Sequence, residues 1–169
     1  MLLKSIRIKR NLKNSSLYRK GVGAVIFNEN NNILLAKRIN NKDIPNPWQM
    51  PQGGVDTDED LELALKRELL EEIGTDKVEI IGKTHALKYT FPSAVSMKFF
   101  KGKYIGQEQI WFFCKFLGND SDINFNTTDH PEFNDFKWVS YKNALELVVD
   151  FKQNLYKQIF QEAKNLGLI

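Results

Sequence analysis

Residues 22–27, Val22-Gly23-Ala24-Val25-Ile26-Phe27, form an apolar run of strand length. The run closes on Asn28-Glu29-Asn30-Asn31-Asn32, residues that favour turns because their side chains bond the local backbone. Ile33-Leu34-Leu35-Ala36-Lys37-Arg38 then resumes a strand pattern, so the two runs predict a hairpin. Residues 39–47 carry Asn40, Asn41, Asp43, Pro45, Asn46 and Pro47 and predict a loop. Trp48-Gln49-Met50-Pro51-Gln52-Gly53-Gly54 predicts a short extended piece ending in a glycine turn. The strongest helical signal covers 58–73, where an acid-rich first turn suits the helix dipole and Gly74 stands at the exit. Further strands are expected at 77–90, 108–117 and 136–140, and helices near 141–149 and 152–166. Strands interleaved with a few helices predict a layered α/β or α+β domain.

A length of 169 residues suits one domain with a substantial core. With 42% hydrophobic and 27% charged residues the chain has the balance of an ordinary globular protein, and no apolar run is long enough for a membrane span. The lone cysteine, Cys114, lies in the apolar run 111–116; it cannot form an internal disulfide or a cysteine-rich metal site, and it is expected to pack. A reducing compartment such as the cytoplasm fits that usage.

The formal net charge of +3 hides an asymmetry. Residues 1–20 hold Lys4, Arg7, Lys9, Arg10, Lys13, Arg19 and Lys20 and no acid, while the other 149 residues carry 17 basic and 21 acidic groups. A basic tail on a mildly acidic body suits contact with a polyanion. The alternatives are a solvated, partly disordered terminus and an organelle-targeting segment, which an acid-free amphipathic start resembles although serines and alanines are few. Residues 1–16 are therefore set apart as a tail and 17–169 as a single domain.

The chemistry is concentrated between Gly53 and Thr75. At 100° per residue, Glu68, Glu71 and Glu72 fall within an arc of about 100°, beside the arc of Leu65, Leu69 and Ile73 that should face the core. Like charges so close repel and raise one another's pKa unless a cation neutralises them. Oxygen donors without a neighbouring histidine or cysteine favour Mg²⁺ or Mn²⁺ over zinc. A solvated acidic face partnered by Lys66 and Arg67 is the alternative. Gly53-Gly54 permits a close backbone approach to a ligand, and Glu59 could cap the loop. A calcium loop counted from Asp56 fails, because Leu61 stands where glycine is needed and Arg67 where glutamate is needed. His85 and His130 have no partner at ligand spacing, and no serine lies in a nucleophile-elbow sequence.

Gly53, five residues, Glu59, seven residues, then Arg67-Glu68-Leu69-Leu70-Glu71-Glu72-Ile73-Gly74-Thr75 resembles the signature of the Nudix hydrolases. Thr75 departs from the family's usual aliphatic residue at a packing position. The resemblance implies an α/β/α sandwich with a mixed sheet and a loop-helix-loop that holds more than one divalent cation. It makes Glu68, Glu71 and Glu72 metal ligands, with the backbone of Gly53. Glu68 and Glu72 become the catalytic candidates, Glu68 the first choice of base. Gly53, Gly54, Glu59, Arg67 and Gly74 take structural roles.

Similarity extends over 17–162 to one branch of the family, the RNA pyrophosphohydrolases and dinucleoside polyphosphate hydrolases. It rests on Tyr18-Arg19-Lys20-Gly21-Val22-Gly23, Trp48 to Gly54, Ile105-Gly106-Gln107, Pro131-Glu132-Phe133, Trp138-Val139-Ser140-Tyr141 and Val149-Asp150-Phe151-Lys152. In that branch Glu132 would complete the metal cluster. Arg38, Val149, Phe151 and Lys152 match positions that hold the leading nucleotides, and Arg19 and Gln107 match further RNA or phosphate contacts. Phe151 equally suits a core aromatic, and Lys152 a solvated surface lysine. The implied substrate is 5′-polyphosphorylated RNA, which would leave a 5′-monophosphate end. A dinucleoside polyphosphate that yields ATP, and an inactive RNA-binding module, are the alternatives.

Overall fold

The computed structural model describes residues 17–39 and 46–169; the basic tail 1–16 and most of the expected loop lie outside the described residues. The apolar run at 22–27 belongs to a longer strand, β1 (Tyr18–Phe27), and the expected hairpin partner is β2 (Ile33–Arg38). The turn between them is tied by Asn28, whose side chain accepts from the backbone N–H of Asn30 and of Asn32. Two short strands follow, β3 (Trp48–Gln49) and β4 (Gln52–Gly54), then helix α1 (Leu61–Ile73). Strands β5 (Val78–Lys83) and β6 (Leu87–Thr90), helix α2 (Ser93–Phe100), strand β7 (Gly106–Phe116), strand β8 (Phe133–Val139) and helices α3 (Tyr141–Leu147) and α4 (Asp150–Asn165) complete the order.

The eight strands form one mixed sheet with the central path β3-β2-β1-β7-β5. Only β1 and β7 run parallel among the described pairs, in continuous register from Tyr18↔Gly106 to Phe27↔Lys115. Strand side chains alternate between faces, and here the alternation separates two cores. Val22, Ala24, Ile26, Leu34, Phe112 and Cys114 pack with Leu65, Leu69 and Ile73 of α1. Val25, Ile33, Leu35, Trp111 and Phe113 pack on the opposite face with Leu155, Tyr156, Ile159 and Phe160 of α4. The sheet therefore lies between helices on both sides, as the family resemblance implied.

Several boundaries differ from the sequence expectation for physical reasons. The helix expected from residue 58 begins at Leu61, because Asp58 sits at φ 61° in a turn closed by Glu59 N–H to Asp56 C=O. Asp60 then caps the helix by accepting from the N–H groups of Glu62 and Leu63. Gly74 ends it at φ 74°, where an added Cβ would collide with the Asn124 carbonyl. The single strand expected at 77–90 divides into β5 and β6, both paired to β7, with Thr84 bonded to the Trp111 backbone at the break. Helix α2 was not expected. Its sequence, SAVSMKFF, lacks a helical alternation of apolar and polar positions.

The segment carrying β3 and β4 is pinned onto the sheet at several points. Ala24 N–H donates to Pro51 C=O, Arg38 N–H to Pro47 C=O, and Met50 N–H to the phenol oxygen of the buried Tyr156 at 2.7 Å. The last bond crosses from the C-terminal helix to the strand segment that leads into the glycine pair. Tyr156→Phe should leave the Met50 N–H buried without a partner. A loss of about 1–3 kcal/mol in denaturant unfolding is expected, and an unchanged midpoint would show that the bond carries no weight.

Candidate active site

Strand β4 brings Gly53 and Gly54 against β1 in the register Gly21↔Gly54 and Val22↔Gly53. Helix α1 then runs back so that its charged edge faces this strand. A Cβ built on Gly53 would fall on the Glu68 carboxylate, and one on Gly54 would fall on the Arg19 guanidinium. Both glycines are thus required by side chains that occupy the space a larger residue would take. The groups that approach the glycine backbone in this structure are the side chains of two predicted site residues.

Arg67 ties the loop to the helix. Its Nε and Nη2 bind the two carboxylate oxygens of Glu59, each at 2.8 Å, and Nη2 also donates to Gly54 C=O at 2.8 Å. Nη1 reaches Glu68 Oε1 at 2.9 Å and Glu71 Oε1 at 3.6 Å. Glu59 in turn accepts from Asp56 N–H at 2.9 Å. This guanidinium bond, with the Asp56 N–H second, pulls the Glu59 carboxyl down to about 2. The bonds with Glu59 hold Arg67 above its already high range. The structural roles proposed for Glu59 and Arg67 therefore have visible geometry.

Glu72 is different, because no cation among the described residues touches it directly. Only 8% of its surface is exposed, and Oε2 accepts from the Gln52 N–H at 2.8 Å. Burial pushes its carboxyl well above the usual range, and the negative charge of Glu132 adds to the rise. Burial likewise raises Glu68, against the pull of Arg67. Mutual repulsion was the cause expected from the sequence; desolvation is the larger cause at both residues.

The remaining predicted residues line the same cavity of about 670 Å³, with Glu68, Glu71 and Glu72 along one side. Glu132, remote in sequence, is placed there by the pairing of β8 with β2, whose register shifts between Lys37 and Arg38. Arg38 Nη2 lies 3.3 Å from Glu132 Oε2 and its guanidinium 5.7 Å from the Phe133 ring centre. Val149, Phe151 and Lys152 reach the cavity from the start of α4. Phe151 does both things the sequence allowed: it is half-buried against the core and also forms cavity wall, stacked on Tyr89 at 6.4 Å.

Lys152 corrects the surface-lysine alternative. It is 7% exposed, its Nζ donates to Gln49 Oε1 at 3.3 Å, and burial lowers its ammonium to about 8. Gln107 is buried on the cavity wall, bonded to Gln109, which also donates to Gln52 and accepts from Trp111 Nε1. Thr75 is buried as well, with Oγ1 accepting from Lys77 N–H, so the hydroxyl at this packing position is satisfied. His85 is exposed and lies beside Glu162, away from the glutamate set.

Some wall residues were missed from the sequence. Trp48, Gln49 and Tyr89 line the cavity, and Gln49 Nε2 is buried with no hydrogen-bond partner among the described residues. Alternation would have been the signal, as in β7, where Gln107-x-Gln109-x-Trp111 puts polar groups on one face with a buried indole. Gln49 gave no such signal, because β3 spans only two residues.

As the side chains stand, no three acidic, histidine or cysteine groups among the described residues converge on one ion position. Arg67 holds Glu68 and the Gln52 N–H holds Glu72, so closing around an ion requires side-chain rotation. The donor set nevertheless fits a hard divalent cation: Glu68, Glu71, Glu72 and Glu132 share one cavity, and burial raises the carboxyls of Glu68 and Glu72.

Comparison with known proteins gives the family and the fold. A family model described as NUDIX domain matches residues 17–159. An RNA pyrophosphohydrolase of Pelagibacter ubique is 46% identical over 149 residues, covering 88% of this chain and 92% of that one. One from Wolbachia pipientis subsp. Culex pipiens is 43% identical over 150 residues, covering 88% and 91%. Among solved structures, the E. coli dihydroneopterin triphosphate pyrophosphohydrolase superposes with a TM-score of 0.65 at 20% identity, covering 86% of this chain and 99% of that one. A C. elegans Ap4A hydrolase gives 0.60 at 23% identity, covering 88% and 98%. No helix among the described residues is long and apolar enough to cross a membrane.

Two substitutions should change metal-free stability in opposite senses. Glu72 has a raised folded pKa, so its charge opposes folding at neutral pH; that opposition fades as the pH falls through the raised value toward the ordinary 4.5 and is gone below it. Glu72→Gln should therefore stabilise the metal-free chain at neutral pH, with the gain vanishing in acid. Glu59 has a lowered pKa, so its contribution is present above 4.5 and is lost as the pH falls through about 2. Glu59→Gln should destabilise at neutral pH, with the difference shrinking over that window. Chemical unfolding across pH checks both signs.

Proposed function

The chain belongs to the NUDIX domain family and is a pyrophosphohydrolase, and from that premise we propose that its substrate is the 5′-polyphosphorylated end of an RNA. The observation that carries this reading is a single cavity lined by two unlike sets of groups. Glu68, Glu71 and Glu72 form one; Arg38, Trp48, Val149, Phe151 and Lys152 supply flat aromatic and cationic groups of the kind that grip nucleobases. A phosphate chain and a leading nucleotide fit such a space together. The names of relatives 43% and 46% identical support RNA, as does the basic character of residues 1–20.

Glu68, Glu71, Glu72 and Glu132, with the Gly53 carbonyl, would hold Mg²⁺, with Mn²⁺ serving in its place and more than one ion engaged. Bound there, the ions would neutralise non-bridging phosphate oxygens and acidify the attacking water. The chain's own groups do the rest. Arg19 stands over Gly54 and Arg38 beside Glu132, both placed to attract phosphate oxygens. Burial raises the proton affinity of the Glu68 carboxylate, which suits a base that must take a proton from water near neutral pH. Arg67 keeps that carboxylate aimed at β4. Phe151 and Arg38 stack against the leading base, and Lys152 adds a buried donor.

The products are a 5′-monophosphate end and pyrophosphate or phosphate. A dinucleoside polyphosphate, hydrolysed to release ATP, remains the second reading because the same carboxylates and stacking surface serve it. The inactive binding module falls away with the family assignment and the intact glutamate set.

Glu68→Gln keeps the side chain's size and removes the proton acceptor, so kcat should fall by orders of magnitude with KM nearly unchanged. A raised KM with intact kcat would place the base elsewhere. Arg38→Ala and Phe151→Ala should each lower kcat/KM on triphosphorylated RNA by roughly 5- to 150-fold, the range expected for losing one stacking surface. A wild-type kcat/KM that is higher for diadenosine tetraphosphate than for triphosphorylated RNA would favour the dinucleotide reading.

A further inference from the structure

Helix α2 forms a lip of the cavity that the proposed reaction does not use. Val95, Phe99 and Phe100 from this helix line the wall near Arg19. Phe100 stacks on Phe91 with centroids 5.1 Å apart and planes 8° from parallel, and the Arg19 guanidinium lies 5.6 Å over its ring. Ser96 Oγ donates to Tyr104 C=O at 2.5 Å, and the helix closes through Lys101 at φ 51°. The lip is therefore anchored from beneath. Arg19 links it to the glutamate side, since that guanidinium also covers Gly54.

Its outer surface has an unusual combination. Phe99 is 57% and Met97 64% exposed, whereas Phe100 is half-buried. Lys98 Nζ lies 5.4 Å from the Phe99 ring centre, and Lys101 and Lys103 follow on the same turn, all exposed. None of the three lysines forms an ion pair with a described carboxylate. From 92 to 107 there is no acidic residue, and the first one after it, Glu108, is paired with Lys88 at 3.1 Å. A single exposed apolar residue is ordinary. An exposed aromatic on a cavity lip, set among three lysines without ion partners, has the composition of a single-strand nucleic-acid contact.

We propose that the α2 lip is a second contact for single-stranded RNA, with Phe99 as the platform for a base and Lys98, Lys101 and Lys103 as seats for backbone phosphates. The proposal rests on the RNA reading above. It commits to an RNA chain because a dinucleoside polyphosphate has no phosphates beyond its second base, whereas three separate lysines suit the recurring charge of a strand.

The test compares kcat/KM on a triphosphorylated dinucleotide, a triphosphorylated RNA of roughly ten nucleotides and diadenosine tetraphosphate. The proteins are the unchanged chain, Phe99→Ala, Phe99→Trp and the triple variant Lys98→Ala/Lys101→Ala/Lys103→Ala. Phe99→Ala is expected to lose roughly 5- to 150-fold on the longer RNA, with a smaller loss on the other two substrates. Phe99→Trp should restore most of that loss, because it keeps a stacking surface. The triple variant should flatten the slope of log kcat/KM against log salt on the longer RNA by about 2, the value for three lost phosphate contacts on a single strand. Equal losses on all three substrates, or full activity of Phe99→Ala on the longer RNA, would overturn the lip as an RNA contact while leaving the RNA reading intact. Failure of the unchanged chain to hydrolyse either RNA would overturn both.

Discussion

The bond between Arg67 and Glu59 is the constraint on which the site depends. A bidentate guanidinium–carboxylate pair fixes direction as well as distance. Here it fixes the loop after β4 against the second turn of α1. The remaining donors of Arg67 then reach Gly54 C=O and Glu68, so one planar group sets the strand, the loop and the first carboxylate in a common frame. Lysine could not replace it, since a single ammonium cannot present this fork. The glycine pair follows from the same arrangement, because Glu68 and Arg19 already fill the volume where side chains would grow.

Neutralisation by Arg67 is partial, and that incompleteness is what suits the site to cations. Glu59 takes the closest share of the guanidinium charge, Glu68 less, and Glu71 lies at 3.6 Å. Glu72 is buried with a backbone N–H for company and faces the field of Glu132. A buried carboxylate with no cation in direct contact among the described residues opposes folding, and at Glu72 the more distant charge of Arg38 offsets that only in part.

The sheet provides the other half of the design. Splitting its two faces between α1 and α4 puts the carboxylate helix on one side and the start of the C-terminal helix on the other, and the cavity opens where their ends meet the edge formed by β2, β3 and β8. Cationic groups stand around the carboxylates: Arg19, Arg38 and Lys152 reach the cavity from three different elements. Mixed charge of this kind suits a polyanionic substrate that must approach an acidic centre.

The local parts of this protein were legible in the sequence because they depend on short-range rules. Spacing along a helix put Glu68, Glu71 and Glu72 on one edge, Gly74 marked the exit, and the asparagine cluster at 28–32 marked the hairpin turn. The motif Gly53 to Thr75 named the family for the same reason: its residues act within one loop and one helix. Assembly over distance decided the rest. The burial of Lys152 depends on α4 packing under β3, and the meeting of Glu132 with Arg38 depends on a register shift between β2 and β8. The elevation of Glu72 comes from desolvation, which no count of neighbouring charges in the sequence could supply. Periodicity reports which face a residue occupies; only the packed chain decides what that face meets.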